Sequence, residues 1–71
     1  MTNQAKFKAL LDKSEITQER AAQLIAEQTM RPCSVRSVRS WLADPELPSA
    51  RGCPEWAVLA LETRLKLLKM L

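Results

Sequence analysis

Histidine and tyrosine are missing from this chain of 71 residues, glycine occurs once, and aromatic residues amount to 4%, one Phe and two Trp. Without histidine there is no imidazole to act as a general base near neutral pH or to ligate a metal. The single glycine excludes a Gly-rich phosphate loop. The serines of residues 34–40 lie on one helix with no base beside them, so no catalytic constellation is visible and an enzyme is not expected. Cys33 and Cys53 are too few and too far apart to build a zinc site in a chain with no His. They are expected to be reduced, partly buried thiols, since no apolar signal segment opens the sequence to direct it to an oxidising compartment. No apolar run approaches the roughly 18 residues of a membrane span. The expectation is a cytoplasmic protein with no metal, no cofactor and no membrane contact.

What the chain does contain is 46% hydrophobic and 27% charged residues, a balance that fits a folded helical domain better than a disordered or all-β one. At this length one small domain is expected, spanning residues 1–71, close to the lower limit for a core without staples. Eleven basic against eight acidic residues give a net charge of +3, which favours an anionic partner. The distribution is more informative than the total. Arg31, Arg36 and Arg39 lie within residues 31–40, where there is no acid.

Hydrophobic spacing predicts four helices. Phe7, Leu10 and Leu11 mark one face of a first helix over residues 3–12. Thr17 is a candidate cap for a second, with Glu19 in its first turn and Ala21, Ala22, Leu24 and Ile25 on its apolar face. That helix is expected to end near Thr29, because Arg31 precedes Pro32 and is pushed towards extended geometry. Ser34 is a candidate cap for a third helix, residues 34–43. The stretch "DPELPSARGCP" then reads as a loop. Pro54 is placed to open a last, long helix over residues 55–70, with Val58, Leu61, Leu65 and Leu68 as its main stripe.

The run "SVRSVRS", residues 34–40, resolves on a helix. With a turn of about 100° per residue and Val35 at zero, Val38 falls at about 300°, Leu42 at about 340° and Trp41 at about 240°. On the other side lie Arg39 at about 40°, Arg36 at about 100° and Ser40 at about 140°. A strand would scatter both valines and arginines over two faces. A short capped helix with one buried arc and outward arginines is suited to the DNA major groove. Arginine can donate two hydrogen bonds to guanine, serine can donate or accept, and the methyls of Val35 can touch thymine. Backbone N–H groups at a helix N-terminus can meet phosphate.

The segment "ITQERAAQLIAEQTMRPCSVRSVRSWLADPELP" resembles the helix-turn-helix of Cro/Xre-like DNA-binding regulators of phage type, over residues 16–42. The following loop and "PEWAVLALE" are similar to small members of that group, and in size and layout the chain is similar to the autoregulators that accompany anti-CRISPR genes. The resemblance implies that Ala22 allows close approach of two helices, with Ala21, Ile25, Val38 and Trp41 packed between them. It also implies that Gln18 touches backbone phosphate, that Ser34 caps the recognition helix, and that Val35, Arg36 and Ser40 face base edges. Ser37 or Arg39 would contact phosphate or a base. Arg31 would lie near the DNA backbone, and Arg51 in the Pro-rich loop could reach a flanking phosphate. The sequence departs from the family in its turn. Ala26 stands where the family has glycine, and "EQTMRP" lengthens the link by about six residues, so the second helix is expected to run an extra turn with Met30 tucked against the core. Either Arg36 or Arg39 could be the main base reader.

The last helix carries more apolar residues than one packing face can absorb, and a surplus apolar face on a small protein usually finds a partner. A homodimer is therefore expected. Trp56, Leu61, Leu65 and Leu68 are the candidate interface, while Trp56, Leu59 and part of the Leu61, Leu65, Leu68 series are also expected to close the core. The composite expectation is an all-α, four-helix helix-turn-helix domain that binds double-stranded DNA as a homodimeric transcriptional regulator, with repression its expected role. The alternative is a protein interaction module, an antitoxin or assembly factor, that uses the apolar last helix.

Overall fold

Four helices account for the regular structure of the computed structural model, which describes residues 2–43, 46 and 52–71: α1 (Asn3–Ser14), α2 (Gln18–Thr29), α3 (Val35–Leu42) and α4 (Glu55–Leu67). Among the described residues there is no strand. The all-α, four-helix expectation is met.

Three of the four helices start on a hydroxyl cap. Thr2 Oγ1 accepts from the Ala5 N–H at 3.1 Å, Thr17 Oγ1 from the Arg20 N–H at 3.0 Å, and Ser34 Oγ from the Ser37 N–H at 3.2 Å. Each cap satisfies an N–H that would otherwise lack a partner, and is worth about 1 kcal/mol. Before α4 stands Pro54, which has no side-chain cap to offer; its carbonyl accepts from the Ala57 and Val58 N–H groups, so Pro54 is the flanking residue and the helix begins one residue later.

The helix ends show the cost of having one glycine. α1, α2 and α4 are each followed by a residue in the left-handed region that is not glycine: Glu15, Met30 and Lys69. Gly52 is used at none of them. α1 runs two residues past the expected Asp12, because the Ser14 hydroxyl donates back to the Leu10 carbonyl at 2.6 Å and Glu15 makes the turn. α4 stops at Leu67 rather than Met70. There the Met70 N–H donates to the Leu65 carbonyl at 2.9 Å and the Lys69 N–H to the Lys66 carbonyl at 3.1 Å, the paired bonds that close a helix on a left-handed residue.

The core draws on all four helices: Phe7, Leu10 and Leu11 from α1, Ala21, Ala22, Leu24 and Ile25 from α2, Val38 and Trp41 from α3, and Ala57, Val58, Ala60, Leu61 and Leu65 from α4. α2 packs on both α3 and α4, and α1 packs on α4 and α3. Ala21 and Ala22 are buried together with Val38 and Trp41, as expected for two helices in close approach. All three aromatic residues form one connected series. Phe7 meets Trp41 edge to face at 5.9 Å between centroids, and Trp41 meets Trp56 at 5.7 Å and 90°. Trp41 thus ties α3 to α1 and to α4.

Two expectations about the core are corrected. Met30 is 89% exposed instead of tucked inward, because it is the left-handed residue that ends α2 and no longer follows the helix's buried face. Leu61 and Leu65, expected at a dimer interface, are fully buried in the domain's own core, while Trp56 and Leu59, which competed for core places, are 45% and 54% exposed. The reason is rotational. At about 100° per residue Leu61 and Leu65 lie on one side of α4, and Trp56 and Leu59 lie on the other. Leu68, just past the helix end, is exposed.

Candidate nucleic-acid interface

α3 has eight residues and is strongly two-sided. Val38 and Trp41 are buried, Leu42 and Val35 are half-buried, and Arg36 and Arg39 are exposed. Isolated helices below about 12 residues are marginal in water, so this one is held by its cap and its two buried side chains. Ser34 caps it, and the hydroxyls of Ser34 and Ser37 lie 3.3 Å apart, which occupies both serines with the first turn. Ser37 and Ser40 are half-buried.

Arg31, Arg36 and Arg39 are exposed and make no side-chain hydrogen bond or ion pair among the described residues, where the ion pair present is Lys66 with Glu62 on α4. Midway between Val38 and Trp41 the buried arc points to about 270° on the scale that puts Val35 at zero, so the outermost position is at about 90°. Arg36, at about 100°, is the closest to it, and Arg39 leans towards Val35.

Gln18 is exposed at the first position of α2, beside the capping residue Thr17. Both border an open groove of about 460 Å³ whose walls also include Lys8, Asp12 and Leu42. The start of α2 and the end of α3 are therefore brought to one groove. Arg31 lies in the link between α2 and α3, residues 30–34. Arg51 lies outside the described residues.

Two side chains at this surface carried no signal in the sequence. The Gln4 amide donates to the Ala43 carbonyl at 2.7 Å, joining the first turn of α1 to the residue that ends α3. A contact between residues 39 apart in sequence has no local pattern. Lys8 stands on the rim shared with Gln18, and its charge is masked in the sequence by Asp12, four residues on.

Cys33 lies in the link immediately before the α3 cap and is half-buried; burial raises its thiol pKa. The same cause pushes the buried Cys53 up to about 11. In both, burial favours the neutral thiol over the thiolate. Among the described residues no three candidate ligands gather to hold a metal ion, and no helix is long and apolar enough to cross a membrane.

No protein-family model, curated protein or solved structure matches the chain.

Proposed function

We propose that the chain is a sequence-specific DNA-binding regulator of transcription, a small repressor of a phage or mobile element acting in the cytoplasm, with α2 and α3 as its helix-turn-helix. One observation carries this reading. Arginines that make no side-chain hydrogen bond or ion pair among the described residues occupy the outward face of a capped helix whose inward face is locked by Val38 and Trp41. An arginine with all five donors free can bind guanine bidentately, and a run with three arginines and no acid over residues 31–40 attracts the phosphate backbone. In this reading Arg36 reads a base edge, with Val35 and Ser40 beside it. Arg31, Arg39 and Gln18 hold the DNA backbone, and the α3 N-terminus with Ser34 and Ser37 meets phosphate. A single eight-residue helix offers few base contacts, so the regulator binds as a homodimer to a palindromic operator with half-sites one helical turn apart.

The test is binding to the DNA upstream of its own coding sequence at increasing salt. Affinity should fall steeply and linearly in log–log form. Arg36→Ala should cost about 1–3 kcal/mol on the operator and flatten the preference between sequences, whereas Arg31→Ala should weaken all sequences alike. Equal retention of operator binding by both variants would remove the assignment. The second reading, a protein interaction module, is favoured by the exposed apolar side chains of α4. It predicts stable binding to a protein partner and no dependence on α3.

A further inference from the structure

The two ends of α3 are fixed by different parts of the chain. Ser34 caps the first turn from within the same segment. At the other end Ala43 is extended, with φ −69° and ψ 158°, whereas α1, α2 and α4 are each followed by a left-handed residue. The last four carbonyls of a helix have no partner inside it. Among the described residues, the side chain that reaches the end of α3 comes from another helix: the Gln4 amide donates to the Ala43 carbonyl at 2.7 Å.

Gln4 is well held for this contact. It is the second residue of α1, in the turn that Thr2 caps. Phe7, one turn on and on the same side of α1, is fully buried and meets Trp41 edge to face. Gln4 and Phe7 thus touch α3 at Ala43 and at Trp41, a polar tie at the helix end beside an aromatic contact two residues before it.

We infer that Gln4 is a positioning residue for DNA recognition, which rests on the assignment of α3 above as the recognition helix: its bond to Ala43 fixes the tilt of α3, and through the tilt the place of Arg36. Arg36 stands five residues before Trp41, about 7.5 Å along the helix axis. About Trp41 as pivot, a tilt of about 10° moves the backbone at Arg36 by about 1.3 Å. A bidentate contact to guanine fixes both the distance and the plane of the guanidinium, so it holds only within about 0.5 Å of its proper place. A contact to phosphate tolerates the shift, because charge attraction fades over a distance of about 10 Å at 0.1 M salt. Loss of the tie removes preference between sequences and keeps affinity for DNA in general. The carbonyl end of a helix carries partial negative charge, so a cationic donor can replace the amide at this position, and an apolar side chain of the same length cannot.

The test uses the full chain and two duplexes of equal length, one from the DNA upstream of its own coding sequence and one unrelated, and reads the ratio of the two affinities. Gln4→Met, similar in length but without a donor, should lower the ratio on the order of tenfold and leave the salt dependence on the unrelated duplex unchanged. Gln4→Lys should restore the ratio, in which the added charge cancels because it strengthens binding to both duplexes alike. Ser14→Ala, which removes the hydroxyl bond to the Leu10 carbonyl at the opposite end of α1, should keep the wild-type ratio. Circular dichroism at the assay temperature checks that each variant is folded. If Gln4→Met is not, Gln4→Lys carries the test, and a lowered ratio for it overturns the inference. A folded Gln4→Met that keeps the wild-type ratio, or weakens both duplexes equally, also overturns it and leaves DNA recognition by α3 standing. So does a Gln4→Lys that behaves like Gln4→Met, since a bond to Ala43 is then not the cause. A wild type that binds both duplexes equally removes the functional reading and the inference together.

Discussion

Trp41 is the side chain on which the placement of α3 depends, and replacing it with leucine should show this in stability. The indole is 8% exposed and makes two edge-to-face contacts, with Phe7 and Trp56. Each such pair is worth about 0.5–1.5 kcal/mol beyond its buried area. Leucine keeps part of the buried apolar surface but loses both ring pairs and leaves a void, so the total loss should be about 3 kcal/mol. A domain of this size has roughly 4–10 kcal/mol in all. The variant should therefore still fold in the cold but melt roughly 12–24 °C below the wild type, followed by far-ultraviolet circular dichroism. Because α3 is too short to persist alone, the loss should appear as one cooperative transition and not as the fraying of one helix. A melting point lowered by less than about 4 °C would refute the view that the aromatic series fastens α3 to α1 and α4.

Three further outcomes follow from the helix ends and the thiols. Met30→Gly should stabilise the chain by up to about 1 kcal/mol in urea, since glycine adopts the left-handed conformation without the Cβ clash, whereas Ala26→Gly, inside α2, should destabilise by about 1 kcal/mol; equal losses from both would contradict the left-handed ending of α2. Ser34→Ala should cost about 1 kcal/mol and Ser34→Asp much less, because aspartate can also accept from the Ser37 N–H; equal losses from the two would contradict the cap. Cys53 has a folded pKa of about 11 against an ordinary value of 9.0, so the fold prefers the protonated thiol. Its contribution is complete below pH 9 and is lost as the pH rises towards 11, on the order of 2 kcal/mol. Alkaline denaturation of Cys53→Ala should lack that part of the decline, and an unchanged profile would argue against burial of the thiol.

How much of this was readable beforehand depended on how two-sided each helix is. α3 segregates its residues sharply, so the buried arc of Val38 and Trp41 and the outward Arg36 and Arg39 could be assigned from rotation alone. α2 begins and ends at the expected residues because Thr17 is a good cap and Pro32 disfavours helical geometry at Arg31. α4 is the opposite case. With leucines on both sides, spacing says that the helix exists but not which side turns inward, so it leaves Leu61 and Leu65 open to the core or to an interface, and they lie in the core. Nothing in the sequence turns Met30 outward, because the left-handed ending of α2 is not marked by glycine. The Gln4–Ala43 bond and the Phe7–Trp41–Trp56 series join distant parts of the chain, where local pattern has no reach.

DNA recognition by α3 is most directly tested by selecting the fragments that the purified chain retains from a random pool of double-stranded DNA. The account predicts enrichment of one short consensus arranged as an inverted repeat, lost in Arg36→Ala. Recovery of a pool indistinguishable from the input, with the protein folded and the wash at moderate salt, would contradict it.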